Sequence, residues 1–62
     1  MKVGFIGLGN VGGKLAGSLL RNGYNVSVFD LNKKIVAAFE SQGAQGLSGP
    51  AEIMQRCDTV IT

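Results

Sequence analysis

The apolar residues of this chain fall into short runs separated by amphipathic stretches, with glycine at most of the boundaries. The run from Val3 to Ile6 is almost continuously apolar, as expected for a parallel strand whose two faces are both covered by helices. We therefore predict a first strand over residues 2–7. A second strand is predicted from Tyr24 to Asp30, where Val26 and Val28 share one face.

Between these strands, apolar residues recur at the spacing of a helix. The pattern predicts a helix that begins at Asn10 or Val11, ends at Asn22 and is capped by Gly23, because glycine readily adopts the left-handed conformation at a helix C-terminus. An apolar stripe that repeats every three to four residues marks the buried face of such a helix. The predicted stripe consists of Val11, Leu15, Ala16, Leu19 and Leu20.

The second half of the chain continues the alternation of helix and strand. We predict a helix over residues 32–42, a short strand over residues 44–47, a third helix that opens at Pro50, and a fourth strand at the end of the chain. Proline is favoured at the first helical position, and Ser48 or Gly49 then serves as the cap. The predicted buried residues are Ile35, Ala38 and Phe39 on the second helix and Ile53, Met54 and Cys57 on the third.

The resulting order of elements is β-α-β-α-β-α-β in a single, partial domain, residues 1–62. Strands that alternate with helices form a parallel sheet with right-handed crossovers and helices on both faces. The predicted fold class is α/β, a partial Rossmann (doubly wound) sheet with strand order 3-2-1-4. In such sheets a ligand binds beyond the carboxyl ends of the strands, where the strand order reverses, which is here beyond strand 1.

Composition and charge narrow the possible functions. The 62 residues include one cysteine and no histidine, so we expect neither an internal disulfide nor a metal site, and we interpret the setting as reduced and cytoplasmic. The net charge of +2 is spread along the chain, and no interleaved aromatic residues accompany Lys33 and Lys34, so we expect no nucleic-acid partner. No apolar run approaches the roughly 20 residues of a membrane span, so we expect no membrane partner.

The two ends of the chain carry further expectations. A strand that starts at Lys2 leaves no room for a signal peptide. The last residues, Asp58 to Thr62, have the pattern of a strand just entered, and no turn signal follows. We therefore expect the chain to be the front part of a larger enzyme.

The first strand leads directly into Gly7-x-Gly9-x-x-Gly12, and the first helix follows. Between a strand and a helix, this pattern is typical of a loop that binds the pyrophosphate of a dinucleotide. Gly7 allows the tight turn, Gly9 leaves room for the pyrophosphate, and Gly12 lets the helix pack closely. The predicted donors, aided by the helix dipole, are the backbone N–H groups around Leu8, Asn10 and Val11. The alternative is a glycine-rich turn without a ligand.

Asp30 ends the second strand, eighteen residues after Gly12, where an acidic residue usually binds the adenosine ribose. A carboxylate accepts hydrogen bonds from a diol and repels a 2′-phosphate, so NAD is favoured over NADP as the cofactor. Lys33 and Lys34 could attract a phosphate, which keeps NADP open as an alternative. Asn32 is a second candidate for ribose binding. The alternative roles are a helix cap for Asn32 and a solvated strand end for Asp30.

We predict no catalytic residues within the chain. It contains no histidine and no pair of acids in one predicted pocket, and Lys14 falls on the exposed side of the first helix. Cys57 has no base near it, so we interpret it as a packing residue rather than a nucleophile.

Several segments together resemble the N-terminus of the β-hydroxyacid dehydrogenases, a family that includes 3-hydroxyisobutyrate dehydrogenase and 6-phosphogluconate dehydrogenase. The matching segments are Val3–Gly12, Leu15-Ala16, Leu19–Tyr24, Val28–Asp30 and Cys57–Thr62. NADP-preferring members tend to have Asn-Arg-Thr after strand 2, whereas Asp30-Leu31-Asn32 resembles the NAD-using branch.

The resemblance implies an oxidoreductase that moves a hydride between a nicotinamide cofactor and a small hydroxy acid, similar to 3-hydroxyisobutyrate. It also implies that a catalytic lysine, a substrate-binding glycine motif and a helical domain that drives homo-oligomer formation lie beyond Thr62. We therefore expect the chain alone to be inactive. Two alternatives remain open: an isolated half-Rossmann module that self-associates without catalysis, and the front half of an imine or ketoacid reductase.

Overall fold

The computed structural model describes all 62 residues as a four-stranded parallel sheet with three helices. The strands are β1 (Lys2–Ile6), β2 (Asn25–Phe29), β3 (Gln45–Gly46) and β4 (Thr59–Ile61), and the helices are α1 (Asn10–Arg21), α2 (Lys33–Glu40) and α3 (Pro50–Arg56). The strand order is β3-β2-β1-β4, and every pairing is parallel. The predicted fold class, element order and strand order are confirmed.

The helix ends follow the local signals in the sequence. Gly23 and Gly43 have positive φ angles of 82° and 105° just after α1 and α2, in the region that favours glycine. The N-cap of α2 is Asn32, whose side chain accepts a hydrogen bond from the Lys34 N–H, and the N-cap of α3 is Gly49. None of the helices combines the length and the apolarity that crossing a membrane requires.

The main core lies between the sheet and the two helices α1 and α2. Strand register sets Val3 beside Val26 and Phe5 beside Val28, so these four side chains share one face of the sheet. They form a buried cluster with Leu8, Ala16 and Ala44, against which residues of α1 and α2 pack. The opposite face is covered by α3, whose fully buried Ile53 lies over β1.

The predicted buried stripe of α1 is partly wrong. Val11 is 82% exposed and Leu15 is 41% exposed, whereas the buried positions of the helix are Ala16 and Gly17. The small residues also lie next to other elements: a Cβ at Gly12 would lie 3.1 Å from the Gly7 carbonyl oxygen, and one at Gly13 would make an ordinary contact with Phe39. The helix therefore turns its small residues inward and two of its larger apolar residues outward.

The buried faces of the two shorter helices also differ from prediction at one position each. Ala38 of α2 is exposed, and Val36 packs against the core in its place. Met54 of α3 is 67% exposed beside the fully buried Ile53. Because α3 has only seven residues, it buries one of them, Ile53, against the sheet, and Met54 lies on its exposed side.

Candidate functional site

The carboxyl ends of β1 and β2 lie side by side, because the two strands pair in register as far as Ile6 and Phe29. The Gly7 N–H continues the ladder by donating to the Phe29 carbonyl oxygen at 2.8 Å. Gly7 then adopts a φ of +90°, a backbone conformation that residues other than glycine rarely adopt. The chain thus turns sharply away from the sheet at the point where the strand order reverses.

The Asp30 carboxylate joins this turn to the segment that follows β2. Its Oδ2 accepts a hydrogen bond from the Leu8 N–H, and its Oδ1 accepts one from the Asn32 N–H, both at 2.8 Å. These backbone donors, Asn32 first and Leu8 second, hold the pKa of the Asp30 carboxyl below its ordinary value. The group is therefore ionised at neutral pH and fixes the loop relative to the start of α2.

The N-terminus of α1 is open towards the same edge of the sheet. The N–H groups of Gly9, Asn10, Val11 and Gly12 make no hydrogen bond within the chain. Gly9 is the N-cap and offers no side-chain acceptor, and the first turn of α1 contains no acidic residue. The positive end of the helix dipole is thus uncompensated, and an anion is the group that such an end binds.

The fold places different demands on the three glycines of the loop. The positive φ explains Gly7, and a Cβ at Gly12 would lie only 3.1 Å from the Gly7 carbonyl oxygen. Gly9 has neither constraint, because its φ is −65° and a Cβ there would meet no atom within 4 Å. Nothing inside the fold requires glycine at this position. A bulky group that approaches the backbone from outside, such as a pyrophosphate, fits the space that a side chain would fill.

Two clefts meet at Asp30. The first, the apolar cleft, has a volume of about 380 Å³ and is lined by Ile6, Gly7, Phe29, Asp30, Leu31 and Pro50. The second, the polar cleft, has a volume of about 420 Å³, and its polar residues are Asp30, Lys33, Glu40 and Ser48. Leu31 is 91% exposed and reaches no core, so it presents an apolar surface to the first cleft.

Residues 2–62 of this chain match the protein family described as the NAD binding domain of 6-phosphogluconate dehydrogenase. The chain belongs to that family. The match covers the glycine loop, the residues of both clefts and all four strands. The resemblance to the β-hydroxyacid dehydrogenases is thereby confirmed.

Individual relatives agree with the family. A probable mitochondrial 3-hydroxyisobutyrate dehydrogenase of Dictyostelium discoideum is 42% identical over 97% of this chain and 19% of its own length. The L-threonate dehydrogenase of Cupriavidus necator is 43% identical over 97% of this chain and 20% of its length. An imine reductase structure from Pseudomonas sp. superposes with a TM-score of 0.89 at 29% identity, over 95% of this chain and 20% of that one. The chain thus spans about a fifth of the length of these proteins.

The structure brings the predicted site residues to one edge of the sheet and corrects the role of one of them. Leu8 is buried and its N–H is occupied by Asp30, so it is not a free donor for a ligand. Asn10 and Val11 are exposed and their N–H groups are free. The side-chain oxygen Oδ1 of Asn32 caps α2 by accepting a hydrogen bond from the Lys34 N–H, as its alternative role predicted. The side-chain NH₂ group of Asn32 makes no hydrogen bond within the chain.

The predicted site did not include Leu31 or Glu40, which both line the clefts. Leu31 directly follows Asp30 and stands before the predicted helix, so it belongs to no predicted buried stripe. Its place beside the site could therefore be read from the sequence. Glu40 gives no such signal, because ten residues and most of a helix separate it from Asp30. Only the return of the chain through β3 places both carboxylates on one cleft.

Proposed function

We propose that the chain is the cofactor-binding front part of a nicotinamide-dependent oxidoreductase, and that it holds the pyrophosphate and adenosine of NAD. Gly9 is the observation that supports this most directly. It is a glycine that the fold does not require, at the open end of a helix whose N–H groups have no partners. A side chain there would stand between those donors and an anion, so a dinucleotide explains the residue.

In this proposal each part of the cofactor has a defined set of protein groups. The N–H groups of Asn10 and Val11 donate to the pyrophosphate, and Gly7 and Gly12 shape the loop that presents them. The Asp30 carboxylate accepts hydrogen bonds from the ribose hydroxyls through the lone pairs that Leu8 and Asn32 leave free. The Asn32 amide can donate to the same ribose. The apolar cleft suits the adenine ring.

The preference for NAD over NADP is part of the proposal. The ionised Asp30 is held in place by two backbone donors, so it cannot easily turn away from a 2′-phosphate. Lys33 lines the polar cleft together with two carboxylates, Asp30 and Glu40, whose charges offset its attraction for a phosphate.

For the longer protein we propose hydride transfer between the nicotinamide of the cofactor and a small hydroxy acid. When the cofactor is bound, its nicotinamide supplies the hydride acceptor or donor. The names of relatives such as the Pseudomonas aeruginosa 3-hydroxyisobutyrate dehydrogenase, 42% identical over 97% of this chain, support this substrate class. The catalytic residues and the contacts of a homo-oligomer then belong to other parts of that protein, and residues 1–62 alone turn over no hydroxy acid. We place it in the cytoplasm, where the free Cys57 stays reduced.

A titration of the ¹⁵N-labelled chain with NAD, followed by NMR, tests the binding proposal. We expect the amide signals of Gly9, Asn10, Val11 and Leu31 to shift, and those of the opposite sheet edge around Asp58 to stay in place. The absence of any shift in the loop at millimolar NAD would refute the proposal.

Two other functions are favoured by single observations. The likeness to an imine reductase supports reduction of an imine by the longer protein, and an assay of that protein with an imine and a hydroxy acid separates the two reactions. The outer edge of β4, which pairs only with β1, supports a self-associating module without chemistry. Sedimentation that shows a monomer at high concentration would count against the module.

A further inference from the structure

The polar cleft contains a carboxylate that the proposed NAD site does not use. Glu40, the last residue of α2, lines this cleft with Asp30 and Lys33. It has no ion-pair partner, since the salt bridge of the structure joins Arg56 to Glu52. Two carboxylates and one ammonium group leave the cleft with one uncompensated negative charge.

Glycine at position 46 makes room for this carboxylate. A Cβ at Gly46 would lie 2.5 Å from Glu40 Oε2 and 2.9 Å from Val36 Cγ1. Gly46 pairs with Val28 in the sheet and does not have a positive φ, so its backbone conformation does not demand glycine. The requirement is steric, and a side chain at this position would force the Glu40 carboxylate to move.

We propose that Glu40 is a specificity-determining residue that acts with Asp30 to disfavour a 2′-phosphorylated dinucleotide. This inference rests on the proposed function. If the adenine ring takes the apolar side of Asp30, a substituent on the ribose hydroxyl that Asp30 binds extends into the polar cleft. A phosphate monoester carries a charge of about −1.5 to −2 at neutral pH, whereas the free 2′-hydroxyl of NAD is neutral. The negative cleft therefore repels NADP and leaves NAD unaffected.

The charges predict a stepwise change in cofactor preference. The summed charge of Asp30, Glu40 and Lys33 is −1 in the native chain, because two carboxylates face one ammonium group. Glu40→Gln makes this sum zero, and the further change Asp30→Asn leaves Lys33 uncompensated, with a sum of +1. Exchange at Asp30 alone removes only one of the two repulsive charges. Full acceptance of NADP thus requires both substitutions.

The test compares the ratio of the two dissociation constants, Kd for NADP over Kd for NAD, by NMR titration of native and Glu40→Gln chains. One unit charge facing a 2′-phosphate across a solvated cleft changes affinity by roughly threefold to tenfold at low salt, so the ratio should fall by that factor. The shift should disappear at about 0.5 M salt, because exposed charges are then screened. Asp58→Asn is the matched control, since it removes one charge at the opposite edge, where Asp58 accepts from the Lys2 N–H.

The possible results test the role of Glu40 and the proposed function separately. An unchanged ratio in Glu40→Gln would overturn the role of Glu40, and so would an equal shift in Asp58→Asn, which would show an effect of net charge alone. Failure of the native chain to bind NAD would instead refute the proposed function. Gly46→Ala is the second variant: it keeps every charge but displaces Glu40, so the ratio should fall here too. An unchanged ratio in a folded Gly46→Ala chain would also contradict the proposal.

Discussion

Replacement of Gly9 by alanine separates the requirements of the fold from those of the ligand. The new methyl group would meet no atom of the chain within 4 Å, and a φ of −65° suits alanine as well as glycine. If the fold were the reason for glycine here, the substitution would destabilise the chain. If the ligand is the reason, the substitution should leave stability unchanged and weaken NAD binding.

The expected stability change is the sum of two small opposing terms. Alanine in a permitted conformation stabilises by about 0.4–1 kcal/mol, because it reduces the entropy of the unfolded chain. Alanine is a poorer N-cap than glycine by roughly 0.5–1 kcal/mol. No packing term applies, since the methyl group points into open space. The free energy of unfolding of Gly9→Ala should therefore lie within about 0.5 kcal/mol of the native value.

The binding term is larger. A methyl group between the N-terminus of α1 and the pyrophosphate breaks at least one hydrogen bond to a charged acceptor, each of which contributes about 1.5–3 kcal/mol. Since 1.4 kcal/mol corresponds to a factor of ten in Kd, NAD affinity should fall at least about tenfold.

Urea denaturation followed by circular dichroism measures the stability, and NMR titration measures the binding. Gly49→Ala is the matched control, because Gly49 is also an N-cap without a side-chain acceptor and a Cβ there also meets no atom within 4 Å. Both variants should be as stable as the native chain, and only Gly9→Ala should lose affinity. Unchanged NAD affinity in Gly9→Ala would refute the assignment of the pyrophosphate to this loop.

Three further predictions concern packing and pH. Gly4→Ala should destabilise the fold by about 1–3 kcal/mol, because its Cβ would lie 2.6 Å from Cys57 Sγ. In a double-mutant cycle measured by urea denaturation, Cys57→Ala should partly restore the stability of Gly4→Ala. Additive effects of the two substitutions would contradict this contact. Ile53→Ala should lower the free energy of unfolding by about 2–5 kcal/mol and Met54→Ala by less than about 0.5 kcal/mol, since the first side chain is fully buried and the second is 67% exposed. Equal urea midpoints of the two variants would refute the packing of α3. Because the pKa of Asp30 is lowered in the folded chain, its ionised carboxylate stabilises the fold above the unfolded-state pKa, and this stabilisation is lost as the pH falls through the folded-state pKa. Asp30→Asn should therefore be less stable than the native chain at neutral pH and should lose less stability than the native chain in acid. A urea midpoint that falls equally with acid in both chains would contradict that role.

The sequence alone was sufficient for the fold, because the signals that define it are local. An apolar run, a helical repeat and a glycine cap each act within a few residues, and their alternation permits few sheet topologies. The loop glycines and Asp30 were predictable for the same reason, since they stand at fixed distances from the end of a strand. The observed order β3-β2-β1-β4 agrees with that reasoning.

Contacts between distant segments decided the rest. Val11 and Leu15 fit a buried stripe by spacing, but α1 instead buries Ala16 and Gly17, so both larger side chains lie at the surface. Leu8 was predicted as a free donor, yet its N–H is bound by a carboxylate 22 residues away. Helical periodicity cannot choose between two apolar faces, and spacing cannot show which N–H a distant acceptor takes. Tertiary packing settles both, because it fixes which surfaces and which polar groups actually meet.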